Sequence, residues 1–395
     1  MNVAGRMLRN EGSDRHKVFT IELFFDLVYV FAITQIAHFL HEDLTWNGAL
    51  RSAILLLAIW WAWIDTTWVT NWLHPQHVSV RVMLIFVMFG SLIMSASIPE
   101  AFDGRALGFA GTFVAIQILR SLFFVWAVRH EEAHRGENFQ RIAVWQGLSG
   151  VFWISGVLVE GNTREVIWLI AVLIDCAAPA MGFRVPGMGK SSTRDWDVSG
   201  SHLAERCQLI IIVALGESVL TIGRTLGDHP IDGKAMTSFI SAFVGAVALW
   251  WIYFSHFADV AEHAIASSDD PGRFARTAYT YSHLIMLAGI VVTAVADELV
   301  IAHPDGEVST TVAIVVVGGT AMYLFGHMMF KRSITGQIPW TIVSALIALG
   351  VIFLLRGALS PIWLGILSLI VVIVMAIINS RIFHKTRLAT SDTPV

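Results

Sequence analysis

Phe19-Thr20-Ile21-Glu22-Leu23-Phe24-Phe25-Asp26-Leu27-Val28-Tyr29 opens a stretch, residues 19–41, that is apolar enough to cross a bilayer and yet carries two acids. About twenty apolar residues in helical form span the hydrocarbon layer. A charged side chain near the centre of such a helix costs roughly 2.5–3.5 kcal/mol even on lenient insertion scales, so it normally faces the protein interior or a water-filled path. At about 100° per residue, Glu22 and Asp26 fall one turn apart on a single face with Tyr29 beside them. Gln35 and His38 follow within the same helix, and Thr34, His38 and His41 continue the polar stripe. Two readings are open. The acids line an ion or proton path, or they sit at the membrane interface as salt-bridged anchors.

The composition makes the membrane reading general. Of 395 residues, 55% are hydrophobic and only 14% charged, where a soluble domain is nearer a quarter charged. Mean hydropathy is +0.67. The two cysteines, Cys176 and Cys207, both lie in apolar segments, which argues against a disulfide framework. A net charge of −4 without any basic tract gives no reason to expect nucleic acid as a partner. The first seventeen residues are polar and basic and lead straight into a span, which speaks against a cleaved signal peptide.

Twelve apolar runs are expected to span: approximately 19–40, 48–73, 78–98, 105–128, 139–160, 163–183, 202–225, 235–258, 276–301, 309–330, 337–355 and 360–380. Loops between them are short and built on Pro, Gly, Asp or Asn. The fold class is therefore all-α integral membrane. The longest polar interruption, 184–201, falls at the midpoint, and the flanking sequence echoes itself: Trp60-Trp61-Ala62-Trp63 with Trp250-Trp251-Ile252-Tyr253, Glu22 with Glu205, Arg81 with Arg276, Gly111-Thr112 with Gly319-Thr320. Six spans per half make two parallel repeats, 19–183 and 202–383, joined by the linker 184–201 and flanked by tails 1–18 and 384–395. The tails and every second loop carry most of the 26 lysines and arginines. The positive-inside rule then puts both termini in the cytoplasm.

Several polar groups stand inside these spans. Glu205 and Arg206 open span 7 and Glu217 lies past its centre, following Gly216. Gly216 and Gly223, seven apart, would admit a neighbouring helix closely. An intramembrane glutamate is a candidate proton or ion carrier, though an arginine partner would make it structural. Span 9 carries Tyr279 and His283 towards one end and Asp297-Glu298 towards the other, either as a path or as a packed polar seam. At the end of span 8, His256, Asp259 and His263 share a face at metal-ligand spacing, where a solvated helix end is the alternative. The tryptophans of span 2 read as interfacial belt or packing. No P-loop, G-x-S-x-G or His-Glu-x-x-His motif is present, so no cofactor is specified.

The series Glu22-Leu23-Phe24-Phe25-Asp26-Leu27-Val28-Tyr29-Val30-Phe31-Ala32-Ile33-Thr34-Gln35, Glu205-Arg206 with Leu215-Gly216-Glu217-Ser218, and Tyr281-Ser282-His283 with Glu298-Leu299 resembles the bacterial low temperature requirement protein A family over nearly the whole chain. That resemblance implies a multi-pass bacterial plasma-membrane protein and carries no reaction or substrate with it. The first helix is also similar, over Phe24-Phe25-Asp26 and Val28 to Thr34, to that of endolysosomal and bacterial potassium/proton channels. Two positions of their Arg-x-x-x-Phe-Ser-Asp signature depart from it, being Thr20 and Phe25 here.

The leading expectation is transport or conduction of a small solute, a cation or a proton-coupled substrate. Its path would use Glu22, Asp26, Gln35, His38, Glu205, Arg206, Glu217, His283 and Glu298. Membrane lipids, the transported ion and a second copy of the chain are the candidate partners. The rival is a membrane-embedded enzyme acting on a lipid or polyprenyl substrate, with His256, Asp259 and His263 as metal ligands. A third reading is a sensor or scaffold whose polar seams only hold helices together.

Overall fold

The computed structural model of the chain describes residues 7–9, 17–130, 133–193, 196–228, 232–255 and 257–391. Among these the regular structure is helical throughout. Twelve helices follow in order: α1 (Thr20–Glu42), α2 (Trp46–Trp72), α3 (Val78–Ala96), α4 (Ala106–Val128), α5 (Ala133–Val157), α6 (Asn162–Ala180), α7 (Gly200–Asp228), α8 (Gly233–Ala266, built of Gly233–Phe254 and Phe257–Ala266), α9 (Pro271–Ala302), α10 (Thr310–Thr335), α11 (Trp340–Leu354) and α12 (Pro361–Ser391). Within α9, Ala275–Tyr281 is wound as π-helix.

The boundaries follow local chemistry. Thr45, Asp232 and Ser309 each accept a hydrogen bond from the first turn of the helix they precede, satisfying amides that have no intrahelical partner. Glu22 folds back to accept from the Phe19 amide at 2.9 Å, so this acid also caps the start of α1. Gly336 ends α10 in the left-handed region, φ 69°.

Nine of the described helices are long and apolar enough to cross a membrane, where the sequence led us to expect twelve spans. The three others have identifiable reasons. The first half of α5 carries His134, Arg135, Glu137 and Arg141, and α6 carries Arg164, Glu165 and Asp175. At 15 residues, α11 falls short of the usual spanning length.

Burial is arranged as a membrane solvent requires. On α1 the buried face holds Glu22, Phe25, Asp26, Tyr29, Ala32 and Ile33, whereas Phe24 and Leu27 are 59% and 58% exposed. Acids inside and large apolar groups outside would be unfavourable in water; against lipid tails the outward apolar face costs nothing.

The contacts divide the chain into two units: residues up to Leu209 with Ala266–Arg276, and Ile210–Ile265 with Thr277 onward. In the first, the interior is aromatic. Trp60 and Trp63 lie 5.1 Å apart, and Trp153 and Trp168 pack at 5.2 Å against Phe109. Trp60 and Trp63 are 1% exposed, so of the two readings, interfacial belt or packing, they take the second. Their sequence echoes, Trp250 and Trp251, are exposed. The segment before α7 docks on the turn ahead of α9, where Thr193 donates to Asp270 at 2.9 Å.

In the second unit the tightest packing joins α9 and α10. A Cβ on Gly289 would meet the Tyr323 amide at 2.4 Å, one on Gly319 the Thr293 amide at 2.7 Å, and one on Gly326 the Met286 amide at 2.7 Å. Small residues let membrane helices approach backbone to backbone. Gly216 and Gly223, expected to provide such an approach, have nothing within 4 Å of a built Cβ. Gly319→Leu is expected to lower the unfolding midpoint in detergent by the equivalent of about 1–3 kcal/mol. Gly223→Leu should leave the midpoint unchanged or raise it, and equal effects at both positions would contradict this packing.

Candidate functional site

Five side chains converge in the interior of the first unit. Glu22 and Asp26 come from α1, His202 and Arg206 from the start of α7, and Arg9 from the segment that precedes α1. Both helix pairs are spaced i, i+4, so two neighbours on one helix face two on the other. Arg206 donates through Nη1 to Glu22 Oε1 at 3.1 Å and through Nη2 to Asp26 Oδ1 at 2.6 Å. Arg9 donates through Nη2 to Glu22 at 3.0–3.1 Å and through Nε to the Thr70 carbonyl at 2.8 Å near the end of α2. Trp63 gives its indole N–H to Asp26 Oδ1 at 2.8 Å. The side chains of Glu22, Asp26, Arg206 and His202 are at most 2% exposed.

The hydrogen-bond pattern assigns the histidine tautomer. The Ser199 amide donates to Asn71 Oδ1 at 2.8 Å, so the Asn71 amide nitrogen points at His202 Nδ1, 3.1 Å away, and donates there. His202 therefore carries its proton on Nε2 and donates it to Glu22 Oε1 at 2.9 Å. Neutral His202 leaves two carboxylates against two guanidinium groups, a balanced set. Taking these charges from water costs several kcal/mol each and is repaid only by near-complete pairing. The pairing here has two gaps: Asp26 Oδ2 and Arg206 Nε are buried without a hydrogen-bond partner. Arg206 also lies over the Phe25 ring at 5.5 Å and the Trp63 ring at 5.8 Å.

Three further acids of this unit are also held. Asp65 Oδ2 accepts from Arg120 at 3.1 Å, Gln117 at 3.0 Å and Gln146 at 3.3 Å, joining α2, α4 and α5. Glu165 pairs with Arg51 at 2.6 Å. Asp175 instead accepts from the Trp153 indole at 3.2 Å.

Two acids of the second unit likewise have no basic partner among the described residues. Buried Glu217 accepts only from Thr221, one turn on, at 3.2 Å, and no basic group among the described residues pairs with it. Asp297 faces a cavity between α8, α9, α10 and α12. His283 is buried, donating from Nδ1 to the Ala278 carbonyl at 3.0 Å and accepting at Nε2 from the Tyr253 hydroxyl at 2.7 Å. The π-winding of Ala275–Tyr281 turns Tyr279 to stack on His283, ring centres 5.3 Å apart.

The family description of the bacterial low temperature requirement A protein (LtrA) matches residues 17–377. The chain belongs to this family. An uncharacterized protein of Rhizobium meliloti (strain 1021) is 35% identical over 371 residues, covering 94% of this chain and 90% of that one. No solved structure matches the chain significantly. With its apolar helices, this LtrA-family chain is a bacterial membrane protein.

Of the residues singled out in the LtrA-like sequence, the structure joins Glu22, Asp26 and Arg206. Glu205, adjacent to Arg206, points outward and is exposed. Gln35 is half-buried, and His38 lies at the surface beside Glu42 at 3.2 Å. Glu298 is half-buried next to Asp297. His256 lies outside the described residues; Asp259 and His263 are exposed on Phe257–Ala266. Among the described residues no three His, Cys, Asp or Glu side chains gather as a metal site. Sequence reasoning passed over Arg9 and His202, read Trp63 as belt or packing, and named Asp297 on span 9 while placing Glu298 in the path. The matching i, i+4 spacing of His202 and Arg206 was the available signal for one of them; Arg9 gave none, being a tail residue distant in sequence.

Removing one partner of a buried pair leaves an uncompensated charge. Arg206→Met is expected to destabilise the protein by about 3–5 kcal/mol in detergent unfolding. Adding Asp26→Asn should recover part of that loss, and strictly additive effects would show that the two groups are not coupled.

Proposed function

We propose that the protein moves a small cation, or a small solute coupled to protons, across the bacterial membrane. One observation carries this reading: Glu217 and Asp297 stand in helices long and apolar enough to span, with no basic partner among the described residues, whereas Glu22, Asp26, Asp65 and Glu165 each meet an arginine. Asp175, also without a basic partner, is held by the Trp153 indole on a helix that is not among the nine candidate spans. An unpaired carboxylate in a low-dielectric interior is tolerated when a proton or a mobile cation neutralises it, and exchange of that neutralising charge is the elementary step of transport. Glu217 and Asp297 are the exchanging groups in this reading, with His283 and Glu298 on the same helix as Asp297. Glu22, Asp26 and Arg206 act by holding α1 to the start of α7. Two parallel six-helix repeats and cytoplasmic termini belong to the same reading, supported by the twelve helices, the sequence echoes and the lysine and arginine bias.

Purified protein in liposomes, tested against a panel of cations with an imposed pH gradient, should show selective flux. Glu217→Gln is expected to lower that flux at least about tenfold, a loss typical of removing a charged group from an ion's route. No flux from folded protein, or parental flux in Glu217→Gln, would sink the transport reading.

A further inference from the structure

The cavity in the second unit has a chemistry that the paired acids elsewhere lack. Among the described residues Asp297 is the one titratable side chain lining it, and the other polar side chains at its wall are hydroxyls: Ser238 and Ser241 from α8, Thr293 from α9, Thr320 from α10 and Ser368 from α12. No lysine, arginine or histidine among the described residues lines it.

The orientation of those hydroxyls decides the sign of the ligand. Thr293 gives its proton to the Gly289 carbonyl at 2.8 Å, and Ser368 gives its own to the Leu364 carbonyl at 2.9 Å. A hydroxyl whose hydrogen is committed to the backbone offers only lone pairs to a neighbour. Ser238 is 1% exposed and its Oγ has no hydrogen-bond partner. A buried hydroxyl left without a partner costs free energy that a ligand on this wall would recover. Thr293 and Ser368 thus offer only oxygen lone pairs, and beside the Asp297 carboxylate they favour a cation over an anion.

The charge count sets the valence. Oxygen-only sites for divalent ions are built with several carboxylates, and affinity follows the number of charged ligands. One carboxylate among neutral oxygens balances a single positive charge.

The geometry points to a site for one partly dehydrated monovalent alkali cation, held by the Asp297 carboxylate with Ser238, Thr293 and Ser368 as neutral oxygen ligands. The site deepens the transport reading, on which its role as cargo rests, by naming the cargo class and its seat. Binding is a separate property from movement, so the two are tested separately.

Equilibrium binding of radiolabelled sodium and rubidium to the detergent-purified full chain is measured against a choline background at constant ionic strength. Thermal unfolding is recorded in the same salts. Saturable binding of at least one of the two ions is expected, with a matching rise in the unfolding midpoint over choline. Asp297→Asn should abolish both while keeping the parental midpoint in choline. Ser238→Ala, which keeps the carboxylate and provides the test should Asp297→Asn not fold, should weaken binding by about fivefold, the worth of one neutral ligand. Absence of saturable binding by the parent overturns the site, as does full binding by Asp297→Asn. An unfolding midpoint that responds to pH and to neither ion also overturns it, because Asp297 would then serve a proton alone. Binding that survives in a protein showing no liposome flux supports the site and removes only the transport reading. Flux without binding at Asp297 does the reverse.

Discussion

Water is excluded from the hydrocarbon layer, so a charge the chain places there must be neutralised, by a counter-charge of the protein, a proton or a bound ion. The meeting of Glu22 and Asp26 with Arg206, Arg9 and His202 satisfies that constraint in the first unit. It joins α1 to the start of α7, and through Arg9 and Trp63 it reaches both the end and the middle of α2. A lysine could not replace Arg206, because a point charge cannot serve two carboxylates with the fixed fork that Arg206 presents. The cluster is the polar nucleus around which the aromatic interior packs.

The two units put acids to different uses. Arginine partners fix Asp65 and Glu165 in place and tie α2 to α4 and α6. A carboxylate so held has little reason to exchange its counter-ion, since the guanidinium is covalently part of the same chain. Glu217 accepts from the Thr221 hydroxyl and Asp297 lines a cavity of hydroxyls and small residues, and neither meets a basic group among the described residues.

Packing follows the same solvent logic. Lipid tails are as apolar as leucine, so apolar area alone gives helices little preference for each other over lipid. Close contact must come from shape. Gly289, Gly319 and Gly326 let α9 and α10 approach at the backbone, and the interlocked indoles of Trp153 and Trp168 fill the first unit. Trp63 shows why composition misleads here. An indole in a span is most often an interfacial anchor, yet this one spends its N–H on a buried acid.

The sequence by itself determined the membrane class, the twelve helices, most of their limits and the face of α1 that carries Glu22 and Asp26, because hydropathy and helical period are local properties of consecutive residues. The matches at Glu22, Asp26, Glu205-Arg206 and Glu217 likewise made the LtrA family legible before any fold was seen. Only the tertiary structure decided which acids are paired and which are not. That Arg206 turns inward while Glu205 points out, that Arg9 returns from the tail to cap Glu22, and that Asp297 rather than Glu298 lines the cavity depend on contacts between residues far apart in the chain. A period read along one helix places a side chain on a face, but its charge partner is supplied by another helix, and no local pattern records which one.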